Sequence, residues 1–318
     1  MKKPNLLHIL FTFLLFHCLN DAMANQPLFK IVSQNLHQFY DDKRNAGKGK
    51  VLSAKKYNDR INQLVEKISS EFNLADVIAF QEIENISILQ KVSVQLQKKY
   101  NTSYQSILIE GNDISGMDVG YLVNTNFKVE SVKALFKNHT FKNSGESLFS
   151  RPPLAIDVCL TECLTIVNVH LRSMKGLKSK RLQKRISLKR RLQAETLANW
   201  IDKFQRQLPE KKLIVVGDFN ALSPSDPYVD IMGTIIGKPD QSHPRWKSSD
   251  LIYTDLINTS YLVSIDKRYS YRYKKANQLL DYLLISQNLQ QSIKAINYTS
   301  IDYKFSDHAA MKATFAIR

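Results

Sequence analysis

Apolar residues along this chain follow two rhythms. Tyr57, Ile61, Leu64, Val65, Ile68 and Phe72 recur at the i, i+4, i+7 spacing of one buried helix face, and Ile86, Leu89, Val92 and Leu96 mark a second helix. Between and beyond them lie short apolar runs of strand length, at residues 29–34, 76–82, 104–109, 119–123, 128–136, 154–160, 164–169, 213–216, 279–285 and 311–317. A further helix runs through the basic segment near Arg181 and should stop before Pro209. Two long polar stretches, 40–56 and 221–250, read as loops. No internal repeat and no Gly/Ser/Pro-rich linker divides the chain, so residues 25–318 form one domain. More strands than helices in an undivided chain predicts an α/β (α+β) fold of two packed β-sheets flanked by helices.

The first residues follow another pattern. Lys2 and Lys3 precede an apolar run over 6–16, and Ala22-Met23-Ala24 supplies small residues at a cleavage site. This predicts a signal peptide over 1–24, cut near Ala24, and a secreted or periplasmic mature protein. The run is too short to span a bilayer comfortably, and bulky His17 disfavours lipid attachment at Cys18. Of the mature cysteines, Cys159 and Cys163 lie where one β-run gives way to the next. A tight hairpin there would bring the sulfurs within bridging reach in an oxidising compartment; two buried thiols are the alternative. The chain carries 45 Lys and Arg against 29 Asp and Glu, a formal charge of +16. So basic a chain binds polyanions at least non-specifically.

Polar residues stand abruptly at the ends of the apolar runs. Asn35 ends the first, Glu82 the second, His170 the run from Leu164, and Asp218 and Asn220 the run from Leu213. Asp281 interrupts the run at 279–285, and Asp307 and His308 directly precede the last one. Singly, each has a structural explanation, since Asn, Asp and Glu cap helices and shape turns. Their recurrence at strand ends points instead to one functional platform.

Gln81-Glu82, Val167-Asn-Val-His-Leu-Arg-Ser173, Gly217-Asp-Phe-Asn220, Leu280-Asp-Tyr282 and Ser306-Asp-His308 resemble, in order and spacing, the motifs of the endonuclease/exonuclease/phosphatase superfamily. The resemblance runs from about Phe29 to the C-terminus. It implies a four-layer, deoxyribonuclease I-like sandwich of mixed sheets and a metal-dependent attack of water on a phosphodiester. Glu82, assisted by Asn35 and with Asp307 nearby, would hold the metal. Their oxygen ligands suit Mg²⁺ or Mn²⁺, with Ca²⁺ as a further candidate. His308 would be the general base, its tautomer fixed by Asp281. Asp218 and Asn220 would face the phosphate, and His170 would donate to a phosphate oxygen or the leaving group. Asp118 is a candidate to orient His170. Phe149-Ser-Arg-Pro-Pro153 is similar to a family segment whose arginine meets a DNA phosphate, with a proline where that segment has an acidic residue. Arg151 is the corresponding substrate contact.

From Arg172 to Arg191 runs a tract of lysines and arginines without an acidic residue. Leu182, Ile186, Leu192 and Trp200 give its helix a buried side, so one reading of the charge is a solvated helix face. The tract nevertheless begins beside His170, where Arg172 and its neighbours would hold a polyanion. These features predict a nuclease, acting on DNA before RNA, monomeric and without stable membrane association. Two alternatives stay open: a sphingomyelinase-like or other phosphoesterase acting on lipid or inositol head groups, and a non-catalytic polyanion-binding protein. Trp246 is a single aromatic residue, too few for a membrane-docking loop.

Overall fold

The computed structural model describes residues 27–317 except 45–48, 143, 160–161, 223–225 and 244–248. The export segment 1–24, Cys18 and Trp246 lie outside these residues.

Two six-stranded sheets pack face to face. The first contains β1 (Leu28–Phe39), β2 (Val77–Ile83), β3 (Tyr104–Leu108), β4 (Asp118–Asn124), β13 (Ile293–Tyr298) and β14 (Met311–Ala316), in the order β13-β14-β1-β2-β4-β3. The second contains β5 (Lys128–Ala134), β6 (Leu154–Cys159), β7 (Cys163–His170), β8 (Lys212–Asp218), β9 (Ile257–Asn258) and β12 (Asp281–Ile285), in the order β5-β6-β7-β8-β12-β9. A separate hairpin pairs β10 (Tyr271–Tyr273) with β11 (Ala276–Gln278). Each large sheet holds one parallel pair among antiparallel neighbours, β1 with β2 and β7 with β8.

Alternation sorts the strand side chains between layers. Ile31, Val77, Ala79, Ile166, Ile214 and Val216 point into the core between the sheets. Their neighbours Val32, Ile78 and Phe80 face α1 (Ala54–Ser70) and α2 (Ile86–Tyr100) on one outer side. Val167, Leu213 and Val215 face α3 (Lys180–Gln207) and α4 (Ile231–Ile236) on the other. Strands buried on both faces require continuous apolar runs, which is why these read so plainly from the sequence. Cys159 and Cys163 are bridged, with Cα atoms 4.0 Å apart across the β6–β7 hairpin.

The stretch 221–250 departs from the expected polar loop, because Val229, Ile231, Met232, Ile235 and Ile236 bury the short α4 against the second sheet. The edge strand β13 was not foreseen either. None of its residues is fully buried, so it lacks an apolar run. Among the described residues no helix is long and apolar enough to cross a membrane.

Candidate active site

The two parallel pairs end side by side. Their carboxyl ends carry Asn35 on β1, Glu82 on β2, His170 on β7 and Asp218 on β8. Asp281 begins β12 and lies in register opposite Asp218, while His308 stands just before β14. The ladders break where these side chains turn inward. Glu82 has φ +58°, His37 +49° and Gln38 +54°, and the pairing shifts register between Gln81 and Ile83 and between Asn35 and Phe39. Left-handed backbone at non-glycine residues costs roughly 1–3 kcal/mol each and concentrates at functional sites. Before Asp218, Gly217 has φ +136°, and a Cβ there would lie 2.1 Å from the Val169 carbonyl oxygen. Only glycine lets β8 lie this close to β7.

A cleft of about 820 Å³ opens over these ends and is lined by Glu82, Arg151, His170, Asp218, Asn220 and His308, among others. His308 Nδ1 lies 2.7 Å from Asp281 Oδ2. Burial opposes a charged imidazole, but Asp281, with Asp218 and Asp307, outweighs it and pushes His308 up to about 10. Burial first, then the charge of Asp281, raises Asp218 well above the usual carboxylate range. His170 is driven the other way, well below its ordinary value, by burial and by the charges of Arg151 and His308. It is a neutral imidazole whose Nε2 lies 3.5 Å from Asp218 and 3.8 Å from Glu82. Asp307 pairs with His37 at 2.8 Å, so the adjacent residues Asp307 and His308 belong to two different His–Asp pairs.

Asn35 is fully buried and sends its Nδ2 toward Asp218 (3.1 Å) and Glu82 (3.3 Å), while its Oδ1 accepts the His37 N–H. Two carboxylates therefore converge on one positive edge, which is the charge demand a cation would meet. Among the described residues, the group of three whose ligand atoms lie within 4.8 Å of one another is Asp218, Asp281 and His308. Two of these are already bonded to each other as an acid–base pair, so we give more weight to Glu82, which is partly open to the cleft. Glu82, which receives the Asn35 amide and shares the cleft lining with Asp307, offers the oxygen donors a hard divalent ion takes; Asn35 would first have to turn its oxygen inward. Asp118 accepts the Gly111 N–H at 2.8 Å and makes no hydrogen bond to His170, whose Nδ1 has no partner.

The two arginines divide. Arg151 lines the cleft and is held by Asp113 at 2.5 Å. Arg172 does not line it: its guanidinium donates to Ser173 and to the Lys175 carbonyl, shaping the loop that does. Much of the basic tract is likewise engaged within the protein. Arg185 and Lys189 meet Glu146, and Arg191 meets Glu195. Arg190 is 1 % exposed and donates to the carbonyls of Arg172 and Asn220 and to Asp226. It braces the chain just beyond His170 and Asp218, a role the sequence reading missed. Its spacing from Ile186, Ala194 and Leu197 places it on the buried face and was the available signal.

A two-sheet sandwich with carboxylates, a buried His–Asp pair and a second histidine gathered at one end is the arrangement of a phosphoesterase fold. The chain belongs to the Endonuclease/Exonuclease/phosphatase family, whose model matches residues 26–314. Among solved structures it is similar to an endonuclease/exonuclease/phosphatase from Bacteroides vulgatus, with 14% identity and TM-score 0.60 over 92% of this chain and 100% of that one. The human nocturnin catalytic domain with bound sulfate has 18% identity and TM-score 0.59, covering 92% and 95%. D. rerio TDP2 complexed with single-strand DNA product has 16% identity and TM-score 0.56, covering 91% and 99%. At these identities the likeness is one of fold. No curated protein matches the sequence.

Proposed function

We propose that this chain is an exported, divalent-metal-dependent phosphodiesterase that hydrolyses nucleic acid, DNA in preference to RNA. One observation carries the reading: His308 with Asp281, neutral His170 and the carboxylates Glu82 and Asp218 meet at a cleft whose rim carries Arg151, Lys175 and Lys178. A divalent ion at Glu82, Mg²⁺ or Mn²⁺ by its oxygen donors, would offset the carboxylate charge and polarise the phosphate.

His308 accepts the proton of the attacking water at Nε2 from the state in which only Nδ1 carries a proton, held there by Asp281. His170 is neutral and offers an N–H to a phosphate oxygen or to the leaving group. Asp218 accepts from the water, positioned by the Asn220 backbone N–H at 2.8 Å. Arg151 and the lysines receive flanking phosphates. D. rerio TDP2, a protein of the same fold, has been seen with a single-strand DNA product.

Purified protein should be incubated with plasmid DNA, RNA and sphingomyelin, each with Mg²⁺ and with EDTA. DNA cleavage that needs Mg²⁺ is the expected result. Intact DNA beside hydrolysed sphingomyelin would transfer the activity to lipid head groups.

A further inference from the structure

Part of the cleft wall belongs to no catalytic group. Tyr271 and Tyr273 line it from β10, and Met174, Lys175 and Lys178 line it from the loop between β7 and α3. Tyr271 is tied to the reaction centre twice. Its ring packs on the His308 ring with centroids 5.0 Å apart, and its backbone bridges to His308. Tyr273 is 45% exposed, with Lys178 Nζ 5.6 Å and Lys274 Nζ 5.8 Å from its ring centre.

We propose that Tyr273 and Tyr271 form a stacking subsite for an unpaired nucleobase beside the scissile phosphate, making this chain selective for single-stranded nucleic acid. The proposal rests on the nuclease reading above and adds its substrate class. Residues i and i+2 of a strand face the same way, and two residues at about 3.3 Å each set their Cα atoms roughly 7 Å apart along the strand. That is twice the roughly 3.4 Å step of a stacked duplex strand. The spacing suits a chain drawn out of its stack. Aromatic faces accept any base, while cations beside them take the neighbouring phosphates. Lys175, Lys178 and Lys274 supply that charge here. A lipid surface is the less suitable occupant, because both rings line the cleft and the turn joining the hairpin strands is Lys274-Lys275.

The test uses a single-stranded oligonucleotide, the same oligonucleotide with one abasic position at each site in turn, and its duplex. Binding is read by fluorescence anisotropy in EDTA and cleavage is read in Mg²⁺. Tyr273→Ala should weaken single-strand binding roughly ten- to a hundredfold and leave duplex binding nearly unchanged, while Tyr273→Phe should retain wild-type binding. An abasic position at the subsite should cost the wild type a similar factor and cost Tyr273→Ala almost nothing. Wild-type single-strand binding by Tyr273→Ala, or abasic and alanine losses that multiply, would overturn the subsite while leaving the nuclease reading intact. Failure of the wild type to cleave any nucleic acid while it hydrolyses a small phosphodiester would overturn both. Loss of binding to sphingomyelin vesicles alone in Tyr273→Ala would assign the hairpin to lipid.

Discussion

His308 Nδ1 and Asp281 Oδ2 lie 2.7 Å apart across the junction of the two sheets, with both residues almost fully buried. The bond orients the His308 ring where it lines the cleft. Asp281→Asn keeps the shape but removes the charge and the tautomer preference. Turnover should fall on the order of a thousand- to ten-thousandfold, and His308→Ala should abolish it. Normal circular dichroism must accompany both losses. Near-wild-type rates in either variant would remove that residue from the proton path.

Metal dependence should trace to Glu82. Glu82→Gln should weaken Mn²⁺ binding by more than the roughly tenfold that loss of a residue behind a metal ligand costs, read by calorimetry, and EDTA should stop wild-type cleavage. Unchanged affinity in the variant would move the ion to Asp218 and its neighbours.

Asp118 provides a test of stability against pH. Burial, then the charge of Glu110, pushes it from 3.8 up to about 7. Its folded pKa lies above the unfolded value, so the contribution is complete below about pH 4 and is lost as pH rises through 7. Asp118→Asn keeps an acceptor for the Gly111 N–H without the buried charge. Its thermal midpoint should exceed that of the wild type by a few degrees at pH 8 and converge with it near pH 4. Parallel curves would mean that Asp118 titrates normally.

Among the tract cations, Lys178, Lys180, Arg181 and Lys184 make no ion pair with an acidic residue among the described contacts, whereas Arg185 meets Glu146. Neutralising these four should weaken nucleic-acid binding and flatten its dependence on salt by about 0.7–0.9 in log–log slope per lost phosphate contact. Hydrolysis of a small phosphodiester should hardly change. An identical slope would make the tract a solvated helix face.

The sequence made the strand ends legible because strands buried on both faces are apolar throughout, and Asn35, Glu82, His170 and Asp218 interrupt them. It did not reveal Arg190, which has a surface residue's composition and a core residue's spacing. Nor did it reveal Arg172's turn toward Ser173, since side-chain direction in a loop depends on partners brought in from elsewhere. The hairpin of Tyr271 and Tyr273 was hidden for a related reason. Its strands are three residues long and mostly exposed, so no apolar rhythm marks them.

Asp307 and His308 are joined by one peptide bond, yet Asp307 reaches back to His37 on β1 and His308 to Asp281 on β12. The dipeptide thus works as a caliper with one jaw on each sheet. If the layers slid past each other, one or both pairs would have to open. The spacing between the His37–Asp307 and His308–Asp281 pairs is therefore set by the thickness of the core beneath them, and a substitution deep between the sheets should disturb these pairs before it unfolds the chain.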